Sequence, residues 1–213
     1  AGKIGPMRWF HSRIANWLHH REHRAVSDSD EVFVVSEHFK QRFAEWHGAS
    51  KRAVSAISGG VDFERFVPNE QRSAVRARYG LKDDDFLFLT LRRLDSRMGL
   101  QLLVEAFARV AKEFPNARLW MAGKGPLKDT LEAEMRSRGI DSQARLLGFV
   151  PEEELPDVLN AADCTVMPSL DLEGFGLATV ESLACGTPVL GSDAGATPEL
   201  IEPLSKELLF SSN

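Results

Sequence analysis

From Phe86 onward this 213-residue chain alternates short apolar runs with amphipathic stretches, and that rhythm constrains its fold more than any other feature. Phe86–Leu91 (FLFLTL), Ala117–Ala122, Ala144–Leu147, Cys164–Met167 and Pro188–Gly191 read as strands. They lack the polar alternation of a strand that keeps one face in water. Between them lie helical stretches at Gly99–Phe114, Leu127–Arg138, Glu152–Ala162 and Phe175–Cys185. In the first of these Leu100, Leu103, Val104, Phe107, Val110 and Phe114 share one face. Strands buried on both faces, each followed by a helix, predict an α/β fold with a doubly wound parallel sheet. Ligands of such sheets bind outside the carboxyl ends of the strands, so the loops there are where chemistry is expected.

Four of those loops carry unusual residues. Arg92 and Arg93 follow the first strand in the segment RRLDSRMG, and Gly123-Lys124-Gly125-Pro126 follows the second. Gly148-Phe149-Val150 follows the third, and a Pro/Ser/Asp loop with Glu173 follows the fourth. In EGFGLATVE, Glu173 precedes a helix and Glu181 lies roughly two turns into it. Between them the backbone N–H groups of Gly174, Phe175, Gly176 and Leu177 open the helix, where an anion is welcome. The glycines remove side chains that would keep a phosphate away. Two hydroxyl-binding carboxylates beside a phosphate cradle suit a nucleotide-sugar, although two glutamates on one helix also describe a plain solvated face. Gly123-Lys124-Gly125 lacks the third glycine of a dinucleotide fingerprint. Asp83-Asp84-Asp85 stands before a strand, so it reads as a charged turn, and no catalytic metal is expected.

The first part of the chain is shorter in period. Met7–Ala25 reads as a helix with Phe10, Ile14, Trp17 and Leu18 on one side, ended by a polar break at Ser27–Asp30. Glu31–Ser36 reads as a buried strand, Glu37–Trp46 as a helix capped by Ser36, and Arg52–Ile57 as a further strand. Ser58-Gly59-Gly60 then marks a chain reversal or a domain crossing. Residues 1–30 are locally basic and carry Trp9, Phe10 and Trp17, which fits either a domain wall or a weak membrane-surface helix. His19, His20 and His23 cluster there, and His19 and His23 could share a helix face, but with no third ligand at a recognised spacing zinc is not expected.

The net charge of −5 argues against a general attraction for nucleic acid. Cys164 and Cys185 are the only cysteines and form neither a disulfide framework nor a zinc motif. With no run near 18 apolar residues, and no secretion-type apolar run in AGKIGPMRW, a cytoplasmic protein with at most peripheral membrane contact is expected.

The segment EGFGLATVESLACGTPVLGSDAGATPELI resembles the donor-site signature of retaining glycosyltransferases of the GT-B type, group 1 (family 4-like). The spacing of Glu173 and Glu181 with the internal Gly-Phe-Gly, the Gly-Thr-Pro-Val strand and the Pro-Glu-Leu helix start carry the resemblance. It extends over roughly Val32 to the C-terminus. It implies that residues 1–57 are the last elements of an acceptor-binding domain and 58–213 a donor-binding Rossmann-like domain, truncated at its C-terminal end. It also implies transfer of a sugar with retention, without metal or cofactor, from a UDP- or GDP-sugar to an acceptor that is a glycan, a lipid-linked molecule or a small molecule.

The same resemblance assigns roles. Glu173 contacts the donor sugar and Glu181 the ribose hydroxyls. Arg93 and Arg97, with the N–H groups of Gly174 to Leu177, stabilise the departing diphosphate. Gly123 lets the nucleoside approach, and the backbone at Phe149 and Val150 holds the base, although Phe149 equally suits a plain turn. The family's loop carries an arginine and then a lysine immediately before a glycine. Here Met98 stands in the lysine's place, so Arg97 is expected to take over its phosphate contact. The chain alone is expected to bind donor without transferring it. The alternatives are a nucleotide-sugar epimerase of the same architecture and a binding module without turnover.

Overall fold

The computed structural model describes residues 17–18, 20–47 and 54–212. The chain divides into two compact units between Ser58 and Gly59. The first part of the helix expected over Met7–Ala25, residues 7–16 with Phe10 and Ile14, lies outside the described residues, as do His19 and the start of the strand expected at Arg52.

In the first unit a helix runs to Asp28, where Ser27 and Ser29 turn their hydroxyls back onto the His23 and Ala25 carbonyls. The expected polar break therefore begins later, because these serines satisfy helix carbonyls instead of ending the helix. Strand β1 (Val32–Val34) pairs in parallel with β2 (Val54–Ala56), and helix α1 (Glu37–His47) connects them. The Phe39 N–H donates to Ser36 Oγ at 3.2 Å, the cap expected from the sequence. The strand at 31–36 is not buried as expected. It is three residues long with Phe33 58% exposed, because only one face of a two-stranded sheet meets α1 among the described residues.

The second unit is a six-stranded parallel sheet in the order β5-β4-β3-β6-β7-β8. Its strands are β3 (Phe86–Leu91), β4 (Ala117–Ala122), β5 (Ala144–Gly148), β6 (Cys164–Met167), β7 (Val189–Ser192) and β8 (Leu209–Phe210). The helices are α2 (Arg72–Arg78), α3 (Leu100–Glu113), α4 (Lys128–Ser137), α5 (Leu155–Ala161), α6 (Leu177–Ala184) and α7 (Thr197–Ile201). Strand β4 shows why its run is apolar throughout. Leu119 and Met121 enter a core with α3 and α4, while Trp120 and Ala122 enter a second core with α2 and α5.

The chain steps outward from β3 to β5, then returns to β6 on the other side of β3 and continues to β8. The order therefore reverses between β3 and β6, and the loops leaving these two strands flank the resulting crevice. Helix α2 and strand β8 are not evident in the sequence. Helix α2 (RSAVRAR) is mostly polar because Arg72 and Arg76 turn inward, reaching the Asn160, Ala161 and Ala162 carbonyls at the end of α5 together with Asp163.

A groove of about 720 Å³ lies on the α3 side of β6–β8 and is lined by Phe88, Phe107, Val166, Pro168, Leu190 and Phe210. None of the candidate site residues lines it.

Candidate active site at the carboxyl edge of the sheet

The strand-end loops are joined to one another by hydrogen bonds. Past β3, the Arg92 N–H donates to Ala122 O and the Leu94 N–H to Lys124 O. Past β4, Gly123 N–H reaches Gly148 O at 2.7 Å, and Leu127 N–H returns to Leu94 O. Past β6, Leu170 N–H donates to Arg97 O, and Ser192 Oγ donates to Ser169 O at 2.6 Å. The four motifs therefore share one edge, as their positions after strands required.

Glu173 sits at the floor of this edge, its side chain 14% exposed. Its backbone carbonyl accepts from Ala196 N–H at 2.9 Å, and Gly195 (φ +61°) leaves room for that contact. A Cβ on Gly195 would lie 2.5 Å from the same carbonyl, so the glycine in DAGATPEL is a packing requirement of the Glu173 loop. The carboxylate is paired with Arg92, whose side chain is 7% exposed. Arg92 Nη2 also donates to Ser169 Oγ at 2.7 Å, and Ser169 Oγ donates to Glu173 Oε2 at 3.0 Å. Two methionine sulfurs complete the setting, Met98 Sδ at 3.0 Å from Nη2 and Met167 Sδ at 3.4 Å from Nη1.

Helix α6 begins later than expected, at Leu177, because Gly176 is in the left-handed region (φ 95°) and forms the cap. Glu181 is therefore the fifth helical residue and Glu173 lies four residues ahead of the first. The first N–H groups of α6 have no partner within the helix, which leaves an anion-accepting end between the two carboxylates. Phe175 packs beside Gly59, and Leu177 is exposed at the helix start. Leu172, in the loop before Glu173, has φ 54°, a strained conformation for a non-glycine residue. Its carbonyl accepts from Arg97 Nη1 at 3.2 Å.

Glu181 is half-buried, and burial raises its carboxyl above the ordinary 4.5; the Arg65 charge partly offsets this and Glu152 adds to it. Arg65 is itself committed to Glu152, with Nη1 3.0 Å from Oε2. Burial, with the Glu181 charge one turn away, also pushes the Cys185 thiol up to about 11.

Arg93 points to solvent, 71% exposed, with Asp95 at 3.9 Å. Arg97 is exposed on the same loop. At Gly123 (φ +140°) a Cβ would sit 1.8 Å from Arg92 O, so the close approach made there is to the neighbouring loop's backbone. Phe149 is 62% exposed beneath Lys124 Nζ, 4.7 Å above its ring, while Val150 is buried in the second core. Asp85 is buried against Arg118 at 2.8 Å and accepts from Lys82 N–H, consistent with a structural turn.

Arg92 and Ser169 carry contacts that the sequence reading did not assign. Successive residues of an extended chain face opposite ways, so one of Arg92 and Arg93 had to turn inward. With helices on both faces of the sheet, the pattern could not say which.

Residues 71–213 match the family model for glycosyl transferases group 1. The chain belongs to this family. It is 34% identical over 185 residues to a GDP-mannose-dependent alpha-(1-6)-phosphatidylinositol monomannoside mannosyltransferase of Mycolicibacterium smegmatis. That match covers 84% of this chain and 48% of the relative, so the chain spans about half the relative's length. Among solved structures, it aligns with sucrose-phosphate synthase from Thermosynechococcus elongatus at a TM-score of 0.73 and 26% identity, covering 84% of this chain and 44% of that one. Anabaena HepE in complex with UDP-glucose aligns at a TM-score of 0.77 and 23% identity, covering 86% of this chain and 50% of HepE, which supports the fold alone. The architecture is that of the GT-B glycosyltransferases. No described helix is long and apolar enough to cross a membrane.

Proposed function

We propose that this chain is the donor-binding part of a retaining, metal-independent glycosyltransferase that uses a UDP- or GDP-sugar. The observation that carries this reading is the pair Glu173 and Glu181 on either side of the α6 N-terminus, beside the β3/β6 reversal. A helix N-terminus at a reversal point accepts a diphosphate, and a carboxylate on each side accepts sugar hydroxyls.

In this reading Glu181 holds the ribose and Glu173 the transferred sugar. The N–H groups from Gly174 to Leu177 take the diphosphate, with Arg93 and Arg97 at the rim. Gly123, Phe149 and Val150 bound the nucleoside. Fixed donors aimed at the departing diphosphate lower the barrier electrostatically. Residues 1–57 belong to the acceptor-binding domain of the whole protein, which operates in the cytoplasm or at a membrane surface.

Both bases are retained because the resemblance leaves the base open, and one relative is named as GDP-mannose-dependent. Calorimetry with UDP, GDP, UDP-glucose and GDP-mannose tests the reading. Binding of at least one nucleoside diphosphate, tighter than its nucleoside, is expected. Incubation with donor and candidate acceptors should give turnover at background, because positioning the acceptor supplies much of the rate and its domain is largely outside this chain. Transfer by residues 1–213 alone would overturn the division of labour. No affinity for any of the four ligands would overturn the donor-site reading.

A further inference from the structure

The lysine that the resemblance places before the loop glycine has no counterpart at position 98. Met98, the residue in the family lysine's place, is buried and uncharged, and Arg97, the nearest alternative on the loop, is turned outward onto Leu172 O. The charge at the Met98 sulfur instead comes from Arg92, at the end of β3.

With a lysine at position 98, a second cation would be brought to the Arg92 guanidinium. A lysine at position 98 would carry its ammonium two bonds beyond the site of the Met98 sulfur. Arg92 Nη2 already occupies the space 3.0 Å from that sulfur. The Arg92 guanidinium is spent on Glu173 and Ser169 and is almost fully enclosed. A buried carboxylate left without its cation would carry an uncompensated charge beside an arriving diphosphate.

We propose that Arg92 is the positioning residue of this site, holding Glu173 and neutralising it, a task that a lysine introduced at position 98 could take over. The inference rests on the donor-site reading above. It predicts that Arg92 and a lysine at 98 are interchangeable but mutually exclusive.

The test measures UDP, GDP and nucleoside affinity by calorimetry for the 213-residue chain and for R92K, R92A, M98K and R92A/M98K, with a thermal melt of each. R92A should lose about tenfold or more in nucleoside diphosphate affinity, the scale of a lost charge-assisted contact, with little change for the nucleoside. M98K should also lose affinity, since two cations then compete for one carboxylate. R92K and R92A/M98K should each return to within about threefold of the parent. If R92A does not fold, restoration of folding and affinity in R92A/M98K still supports the inference. Additive losses in the double variant, or equal losses for nucleoside and diphosphate in R92A, overturn it. A parent chain that binds no nucleoside diphosphate overturns the donor-site reading itself, and this inference with it.

Discussion

Replacing Glu181 should move stability and binding in opposite directions. The carboxyl is half-buried, and burial is the largest influence on it, raising its pKa above 4.5. A carboxyl whose folded pKa is raised binds its proton more tightly folded than unfolded. It therefore costs stability at neutral pH, and that cost fades as pH falls through the raised folded value toward the unfolded one. E181Q removes the charge and keeps the shape, so the unliganded protein should melt higher at pH 7. Half exposure and the nearby Arg65 keep the gain to at most about 1 kcal/mol, or roughly 2–4 °C for a unit of this size.

Binding should go the other way. Hydrogen bonds from hydroxyls to a charged acceptor contribute about 1.5–3 kcal/mol and those to a neutral one about 0.5–1.5. E181Q should then cost roughly fivefold to tenfold in nucleoside diphosphate affinity, and E181A roughly tenfold to a hundredfold. The parent's affinity should begin to fall at a pH above 4.5 as the acceptor is protonated, and E181Q should not show that step. Differential scanning fluorimetry and calorimetry on the same samples read both effects. A lowered melting temperature with unchanged affinity would return Glu181 to a structural role.

Two other perturbations separate rim from scaffold. R97A should weaken diphosphate binding about threefold to tenfold while leaving nucleoside binding unchanged, and equal small losses for both would show that Arg97 does not reach the phosphates. R76M removes donors to the Ala161, Lys82 and Asp85 carbonyls and one partner of Asp163. It should cost about 3–5 kcal/mol in urea unfolding, and a loss under about 1 kcal/mol would mean that Arg72 alone suffices.

The sheet was legible because burial on both faces leaves continuous apolar runs, and β3, β4 and β6 carry the bounds their runs suggested. Edges were less so. Strand β8 is two residues long and, among the described residues, pairs only with β7, too short to leave a pattern. Helix α2 was hidden by its inward arginines, since a buried guanidinium answering carbonyls looks in sequence like a surface charge. The site's motifs were legible in position, because a loop's place after a parallel strand fixes its edge. Side-chain direction was not. Arg92 and Arg93 are adjacent and identical, yet one is enclosed against Glu173 and the other lies in solvent.

The Glu173 loop also bears on whether donor binding can be separated from transfer. It is held by Ser192 at Ser169, by the Arg97 carbonyl at Leu170, by the Arg97 guanidinium at Leu172, and by Ala196 at Glu173. Every one of these partners lies within residues 59–213. Leu172 at φ 54° carries about 1–2 kcal/mol of backbone strain, which the surrounding bonds are sufficient to maintain. A loop fixed this way presents its carboxylate and amides before any ligand or second domain arrives, so the entropy of ordering it is already met on folding. On the proposed reading, the cost that remains for catalysis is bringing an acceptor to a donor already held.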